Sequence, residues 1–173
     1  MLTRIRVEIV GRVTYFLTAH VFGRRVGPLM RLVFRIPVWL HQAGLTFLIP
    51  KWILILGTTG RRTGKARLTA LEYGYDPQQR RYLLMTGWGG RVDWYRNACA
   101  NPQVQVWLGK RKVEGTARPA SAEEVAQEME SILTVYPKAV NTWSVHSGVP
   151  YDGTRDSLLR MAAGLPGLLV FEK

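Results

Sequence analysis

The densest group of residues that could bind an anion lies at 58–67, where the chain reads Thr-Thr-Gly-Arg-Arg-Thr-Gly-Lys-Ala-Arg. Four cations, three hydroxyls and two glycines fall within these ten residues. Glycines let backbone N–H groups converge, hydroxyls donate hydrogen bonds, and Arg and Lys neutralise negative charge. The run predicts a turn that holds anionic oxygens. A solvated basic hairpin turn is the alternative.

The residue types exclude a P-loop. A Walker A motif ending at Gly64 and Lys65 needs glycine where Thr59 stands, and Ser or Thr where Ala66 stands. Its glycine loop also opens a helix, whereas residues 68–75 alternate as a strand does. The basic run therefore joins two predicted strands.

Positive charge is concentrated in the first part of this chain of 173 residues and net charge +12. Residues 1–67 hold twelve Lys or Arg and one acid, Glu8, whereas the remainder holds twelve basic and eleven acidic residues. The arginines alternate with apolar residues and form no groove-reading module, which favours an anionic membrane surface or cofactor over nucleic acid. The three separated histidines and the single cysteine, Cys99, have no metal-ligand spacing. Cys99 is predicted to pack inside a helix.

Residues 1–50 form a predicted apolar and basic leader, with helical spacing over 2–22 and again over 26–40, where Pro37 interrupts it. Such helices could lie on an anionic membrane surface, or they could cap the core of the following domain. A spanning helix needs about 20 predominantly apolar residues, and the charge-free run 36–50 is shorter and contains two prolines. No signal-peptide layout stands out. We therefore expect a cytoplasmic protein, at most peripheral on the inner membrane face.

Residues 51–173 read as one domain of short antiparallel strands with inserted helices. Helices are predicted at 93–101, 121–136 and 154–163, with a flexible loop at 87–90 and an irregular loop at 137–152. The predicted strands are 52–58, 65–75, 81–86, 104–108, 112–118 and 165–171. This order predicts a small, partly open β-barrel of the α+β class.

Two runs resemble the deazaflavin-dependent nitroreductase family, a branch of the split β-barrel flavin and deazaflavin oxidoreductases. The first is 56–71, which contains the basic turn. The second is Trp-Tyr-Arg-Asn-Ala-Cys-Ala-Asn-Pro-Gln-Val at 94–104, and a weaker third is Val-Tyr-Pro at 135–137. The resemblance covers roughly residues 50–173 and implies the split-barrel fold.

Members of that family bind coenzyme F420, a deazaflavin with a phosphodiester and an oligoglutamate tail, and transfer hydride from its reduced form. The resemblance implies phosphate contacts from the turn, namely Arg61, Arg62, Thr63, Gly64, Lys65 and Arg67. It also implies ring contacts from Thr69, Ala70, Gly87 and Trp88. Trp94 would pack on the cofactor and Asn97 would make a directional hydrogen bond. The alternative for these last two is a core tryptophan and a loop anchor.

The resemblance also implies a reaction, the reduction of a quinone, a nitro compound or another lipophilic, electron-poor acceptor. Tyr136 matches a family tyrosine that lines the substrate pocket and is the first candidate for a proton donor. His146 is a second candidate, which no motif supports. A structural tyrosine at a helix end is the alternative. Departures from the family pattern fall on the substrate side and the ring edge, at Ala70, Gly87-Trp88 and Ala139. They leave open a non-catalytic lipid or fatty-acid carrier, or an FMN or haem protein of the same barrel group.

Overall fold

The computed structural model describes residues 32–87 and 89–173. Its strands are β1 (Ile53–Thr59), β2 (Ala66–Glu72), β3 (Gly74–Asp76), β4 (Arg81–Met85), β5 (Gln103–Leu108), β6 (Arg111–Pro119) and β7 (Gly167–Glu172). Its α-helices are α1 (Ile36–Gln42), α2 (Asp93–Ala100), α3 (Ala122–Val135), α4 (Ala139–Ser147) and α5 (Arg155–Gly164). Short 3₁₀ helices cover Thr46–Leu48 and Gly89–Arg91. The predicted helix at 2–22 and the first part of that at 26–40, up to residue 31, lie outside the described residues.

All seven strands belong to one antiparallel sheet, in the order β2-β1-β5-β6-β7-β4-β3. The sheet curls so that β2, at one edge, contacts β4 near the other edge. The chain passes from one edge strand to the other through a single residue, Tyr73, between β2 and β3. The result is a half-barrel with an opening beside β2, which confirms the predicted α+β barrel class.

The inside of the half-barrel is filled by apolar side chains that alternate along the strands, as the period of two requires. Leu54 and Leu56 of β1, Val104 and Val106 of β5, and Leu84 of β4 belong to this core. The side chains of Trp94 and Ala98 on α2 pack into the same cluster. The first helix after the basic turn therefore closes one end of the barrel.

A second apolar cluster lies between helices, chiefly α3 and α5. Ser121 starts α3 as predicted: its hydroxyl accepts from the Glu124 N–H, and the Glu124 carboxylate accepts from the Ser121 N–H. This reciprocal pair satisfies two amides that the helix leaves without partners.

Two local predictions are wrong. The strand predicted over 65–75 breaks at Tyr73, because β2 must pair with β1 while β3 pairs with β4 at the far edge. The irregular loop predicted over 137–152 contains α4, a helix with weak apolar periodicity that ends at Gly148, where φ is +75°. The segment predicted over 26–40 is interrupted just before Pro37: residues 32–33 are helical, residues 34–35 form a turn, and Pro37 stands in the first turn of α1, where its missing N–H costs nothing.

Two further observations concern the surface. Cys99, predicted as a packing residue, is exposed on α2. Within the described ranges, every helix is too short or too polar to cross a bilayer.

Candidate functional site

The basic turn at residues 60–65 links β1 to β2 and is closed by its own backbone. The Gly60 N–H donates to the Lys65 carbonyl at 2.8 Å, and the Gly64 N–H donates to the Gly60 carbonyl at 2.8 Å. Gly64 has φ +65°, a conformation that side chains with a Cβ rarely adopt. The glycine spacing that marks this run in the sequence therefore shapes the turn.

The turn does not present a cradle of free backbone amides, which corrects the expectation that its N–H groups converge on an anion. Besides the two glycine amides, Thr63 N donates to the Gly60 carbonyl at 3.2 Å, and Lys65 N donates to Thr63 Oγ1 at 3.4 Å. Arg61 N donates to Asn97 Oδ1 at 3.2 Å. Because these amides are paired within the protein, anion binding falls to the side chains.

Helix α2 clamps the turn from one side. Asn97 is buried, and its Oδ1 accepts both from the Arg61 backbone and from Arg61 Nη1, the latter at 2.9 Å. One helical turn later, Asn101 Nδ2 donates to the Thr59 carbonyl at 3.2 Å. The two asparagines therefore fix the position of the turn relative to the barrel.

The Arg61 side chain is also bound by α2 in this clamp. Its Nη1 donates to Asp93 Oδ1 at 2.8 Å, in the first turn of α2. The hydrogen bond from Arg61 holds the pKa of the Asp93 carboxyl below its usual range. The side chain of Arg61 is only 22% exposed, whereas that of Asp93 is 82% exposed. Arg61 is thus placed to position the turn, whatever else it contacts.

The remaining cations of the turn point to solvent. Arg62, Lys65 and Arg67 are exposed, and none of them pairs with a carboxylate within residues 32–87 and 89–173. Thr63 is exposed too, and its hydroxyl hydrogen is still available after its oxygen has accepted from Lys65. This set of donors suits a phosphate or carboxylate group.

A buried hydroxyl without a partner lies beside this surface. Thr58 Oγ1 has no hydrogen-bond partner, and Thr58 pairs directly with Arg67 across β1 and β2. Thr86 Oγ1, just after β4, is also buried and unpaired. Buried hydroxyls normally find a partner, so these two fit polar atoms of a bound molecule.

The residues implied to contact a ring are only partly brought together. Thr69 pairs with Leu56 and so points to the inside of the half-barrel, whereas Ala70 pairs with Ile55 and points to the other face. Gly87 follows β4, the strand that β2 contacts across the opening. Trp88 lies outside the described residues. Thr69 therefore lies on, and Gly87 just after, one of the two strands that meet at the opening, and Ala70 faces away from it.

Trp94 and Asn97 occupy structural positions. This agrees with the alternative interpretation of the two residues as a core tryptophan and a loop anchor. Trp94 is 9% exposed within the barrel core, and its ring meets Tyr95 edge to face at 6.0 Å. Asn97 is 5% exposed and is occupied by Arg61. Contact of either residue with a cofactor stays a prediction.

The two proton-donor candidates lie in the helical layer. Tyr136 is the C-cap of α3, and its N–H donates to the Ile132 carbonyl at 2.7 Å. His146 lies in the last turn of α4, where burial lowers its pKa. Helices α3 and α4 pack on α5 rather than on the basic turn. The structure therefore does not join either residue to the turn.

Sequence reasoning missed a cleft of about 320 Å³ on the outer face of the sheet, next to the turn. Its lining includes Gly57, Leu68, Gln103, Gln105, Trp107 and Glu114. A Cβ at Gly57 would lie 2.7 Å from the Trp107 ring, so the indole can lie across β1 only because this residue is glycine. The sequence signal was a glycine inside an otherwise apolar strand, which often marks a close approach.

Comparison with known proteins gives a family match that covers these residues. The sequence profile of the family described as F420H(2)-dependent quinone reductase matches residues 40–150, well over half of the chain. That span contains the turn, both asparagines of the clamp and the cleft.

The chain is also similar to individual proteins. It is 35% identical over 74 residues to F420H(2)-dependent quinone reductases from Mycobacterium tuberculosis strains H37Rv and CDC 1551, which is 41% of this chain. It spans about half, 48%, of the length of these curated relatives. A solved F420-H2 dependent reductase matches with a TM-score of 0.50 at 24% identity, over 70% of this chain and 96% of that one, which supports the split-barrel fold.

Proposed function

Because the chain belongs to the F420H(2)-dependent quinone reductase family, we propose that it is an oxidoreductase that uses reduced F420 to reduce a lipophilic, electron-poor acceptor. A quinone is the acceptor class that the family description favours, and nitro compounds remain a secondary candidate. The observation that carries the proposal is the set of unpaired cations on a turn that α2 holds in place. The family gives no support to the FMN alternative.

The residues present fit the anionic arm of F420. Arg62, Lys65 and Arg67 would neutralise its phosphodiester, and the Thr63 hydroxyl would donate to a phosphate oxygen. Arg61 would act mainly as a positioning residue, because its Nη1 is held by Asp93 and Asn97. The buried Thr58 hydroxyl would gain the partner that it lacks.

When bound, reduced F420 supplies a hydride. The protein's task is then to place the acceptor beside the ring and to exclude water. Thr69 and Gly87 lie on the two sides of the barrel opening and would border that ring. We assign proton donation to the acceptor to Tyr136, since reduction of a quinone builds up negative charge on oxygen. Peripheral contact with an anionic membrane surface on the cytoplasmic side completes the proposal.

The test is a titration of the full chain with F420, followed by fluorescence or calorimetry. Arg62→Ala with Lys65→Ala should weaken binding by about 10- to 100-fold. Hydrogen bonds to charged groups contribute about 1.5–3 kcal/mol, and exposed cations lie at the low end. Raising the salt concentration should weaken binding by the wild type more than by the variant, because the lost contacts are ionic.

The matched control is Lys110→Ala with Lys138→Ala, which removes two exposed cations away from the turn. It should leave affinity within about twofold of the wild type, since long-range effects of exposed charge are screened. Equal losses in both double variants would show a general charge effect and would refute the turn as the binding site. Absence of saturable F420 binding by the wild type would refute the proposed function.

A further inference from the structure

Glu128, in the middle of α3, carries a half-buried carboxyl group that has no part in the proposed reaction. It lines a cavity of about 20 Å³ between α3 and the strands β3, β4 and β7, where β7 adds the uncharged Leu169. Its Oε1 is buried, and no atom of the described ranges forms a hydrogen bond with it. A buried oxygen without a partner costs free energy and is rare. The charged or titratable residues that share the cavity are Tyr75, Asp76, Arg81 and Glu124.

The carboxyl lies directly against β3 because residue 74 is glycine. A Cβ at Gly74 would lie 2.9 Å from Glu128 Oε1, which is too close for these two atoms. Strand β3 is three residues long and lies at one edge of the sheet, so it pairs with β4 alone. On the barrel side of β3, the Tyr75 ring meets the Tyr82 ring at 4.8 Å. Glu128 therefore covers, from the helical layer, a short strand that one neighbour holds in the sheet.

The charges around the cavity leave Glu128 without a cation of its own. Arg81 on β4 lies between two other carboxylates, with Nε 3.5 Å from Asp76 Oδ2 and Nη1 3.7 Å from Glu124 Oε1. Glu124 also accepts from both Nη atoms of Arg118, at 2.8 and 2.7 Å. If Glu128 ionises, three carboxylates share these two guanidinium groups. Burial raises the pKa of the Glu128 carboxyl, while attraction by Arg81 and repulsion by Asp76 act in opposite directions.

The cavity is too small to hydrate an ionised carboxylate. A volume of about 20 Å³ admits about one water molecule, whereas a carboxylate offers about four acceptor positions. A buried charge that is neither paired nor hydrated is far more costly than a neutral polar group. We therefore expect the ionised side chain of Glu128 to turn toward solvent. Strand β3 then loses the side chain that covers Gly74.

We propose that Glu128 is a pH-sensitive latch: its protonated carboxyl holds β3 against α3, and its ionised carboxylate releases the strand. Strand β3 continues β2 through Tyr73, and β2 borders the opening of the half-barrel. Release of β3 as the pH rises therefore loosens one side of that opening. The latch itself is independent of the proposed function. Its consequence rests on that function, because the opening is where an acceptor would reach the cofactor ring.

The test is hydrogen–deuterium exchange of the full chain without ligand, expressed as protection factors for the backbone amides of residues 73–77. Protection factors remove the pH dependence of the exchange chemistry itself. In the wild type, protection of β3 should fall by about tenfold as the pH rises from about 4.5 to 8, since one pKa unit between the held and released strand corresponds to a tenfold change. Glu128→Gln retains the shape of the side chain but does not titrate, so protection should stay high and constant.

Two further variants make the result specific. Glu123→Gln removes an exposed carboxylate from the same helix and should behave like the wild type. Glu128→Ala also lacks a titrating group, but it uncovers Gly74, so protection should be constant at the low level of the released strand. F420 affinity of Glu128→Gln at pH 7 should equal that of the wild type, because the substitution leaves the basic turn unchanged.

Urea unfolding gives a second readout. Because the pKa of Glu128 is raised above 4.5 in the folded protein, the stability that its protonated form contributes is complete below pH 4.5 and is lost as the pH rises through the folded pKa. The free energy of unfolding of Glu128→Gln minus that of the wild type should therefore grow with pH and then level off.

Several results would overturn the latch. They are wild-type protection of β3 that does not change with pH, a pH dependence that persists in either Glu128 variant, and loss of the pH dependence in Glu123→Gln. The expected exchange results without any F420 binding by the wild type would support the latch and refute the proposed function.

Discussion

The clamp between α2 and the basic turn makes a prediction whose size follows from the distances. Asn97→Ala removes one acceptor that serves two donors, the Arg61 backbone at 3.2 Å and Arg61 Nη1 at 2.9 Å. A neutral hydrogen bond contributes about 0.5–1.5 kcal/mol, and one from a charged group about 1.5–3 kcal/mol. Because Arg61 keeps its bond to Asp93, the lower part of the sum applies. We expect the free energy of unfolding to fall by about 2–3 kcal/mol.

This loss is measurable in two ways. Urea unfolding gives the change directly, and thermal unfolding should show a Tm lower by about 4–12 °C for a chain of this size. The matched control is Asn141→Ala, which truncates an exposed asparagine on α4 and should change stability by less than about 0.5 kcal/mol. Loss of the clamp should also weaken F420 binding by about tenfold, because Lys65 and Arg67 are then held less firmly.

Asn97→Asp separates positioning from charge. The carboxylate retains an acceptor for both Arg61 donors, so the unfolding free energy should stay within about 1 kcal/mol of the wild type. It also adds a negative charge beside the anion site, so F420 affinity should still fall several-fold. The reasoning is refuted if Asn97→Ala unfolds like Asn141→Ala, and its link to the site is refuted if stability falls while F420 affinity does not.

Two other variants test the scaffold around the site. Gly57→Ala should destabilise the protein by about 1–3 kcal/mol in urea unfolding, because its Cβ would lie 2.7 Å from the Trp107 ring. Gly87→Ala should be near neutral, because its Cβ would have no atom of the described residues within 4 Å. Equal effects of the two substitutions would contradict the packing argument. The Arg118 hydrogen bond lowers the pKa of Glu124 from 4.5 to about 2, so its stabilising effect is complete above pH 4.5 and is lost as pH falls toward 2. Between pH 4.5 and 2, the free energy of unfolding should fall less steeply with decreasing pH for Glu124→Gln than for Glu123→Gln in the same turn. Parallel curves would contradict the stabilising role given to Glu124.

Much of the barrel could be predicted because its signals are local. Glycine spacing and the alternating strands on either side located the basic turn, and Ser121 with Glu124 marked the start of α3. The turn between β5 and β6 follows from Gly109, where φ is +59°. Each of these features is decided by a few neighbouring residues.

The failures depend on contacts that are distant in the sequence. Nothing near Tyr73 shows that β2 and β3 pair at opposite edges of the sheet. The pairing of the Arg61 amide depends on Asn97, which is 36 residues away in the sequence. The packing of Trp107 over Gly57 also joins separate strands. Helix α4 was missed for a different reason, because its apolar residues lack a clear helical period.

The most direct measurement is a crystal structure of the full chain with F420 bound. The account predicts the phosphodiester within hydrogen-bond distance of Lys65 and of Arg62 or Arg67, with Arg61 still bonded to Asn97. A complex in which the phosphodiester lies elsewhere, with the turn exposed to bulk water, would contradict it.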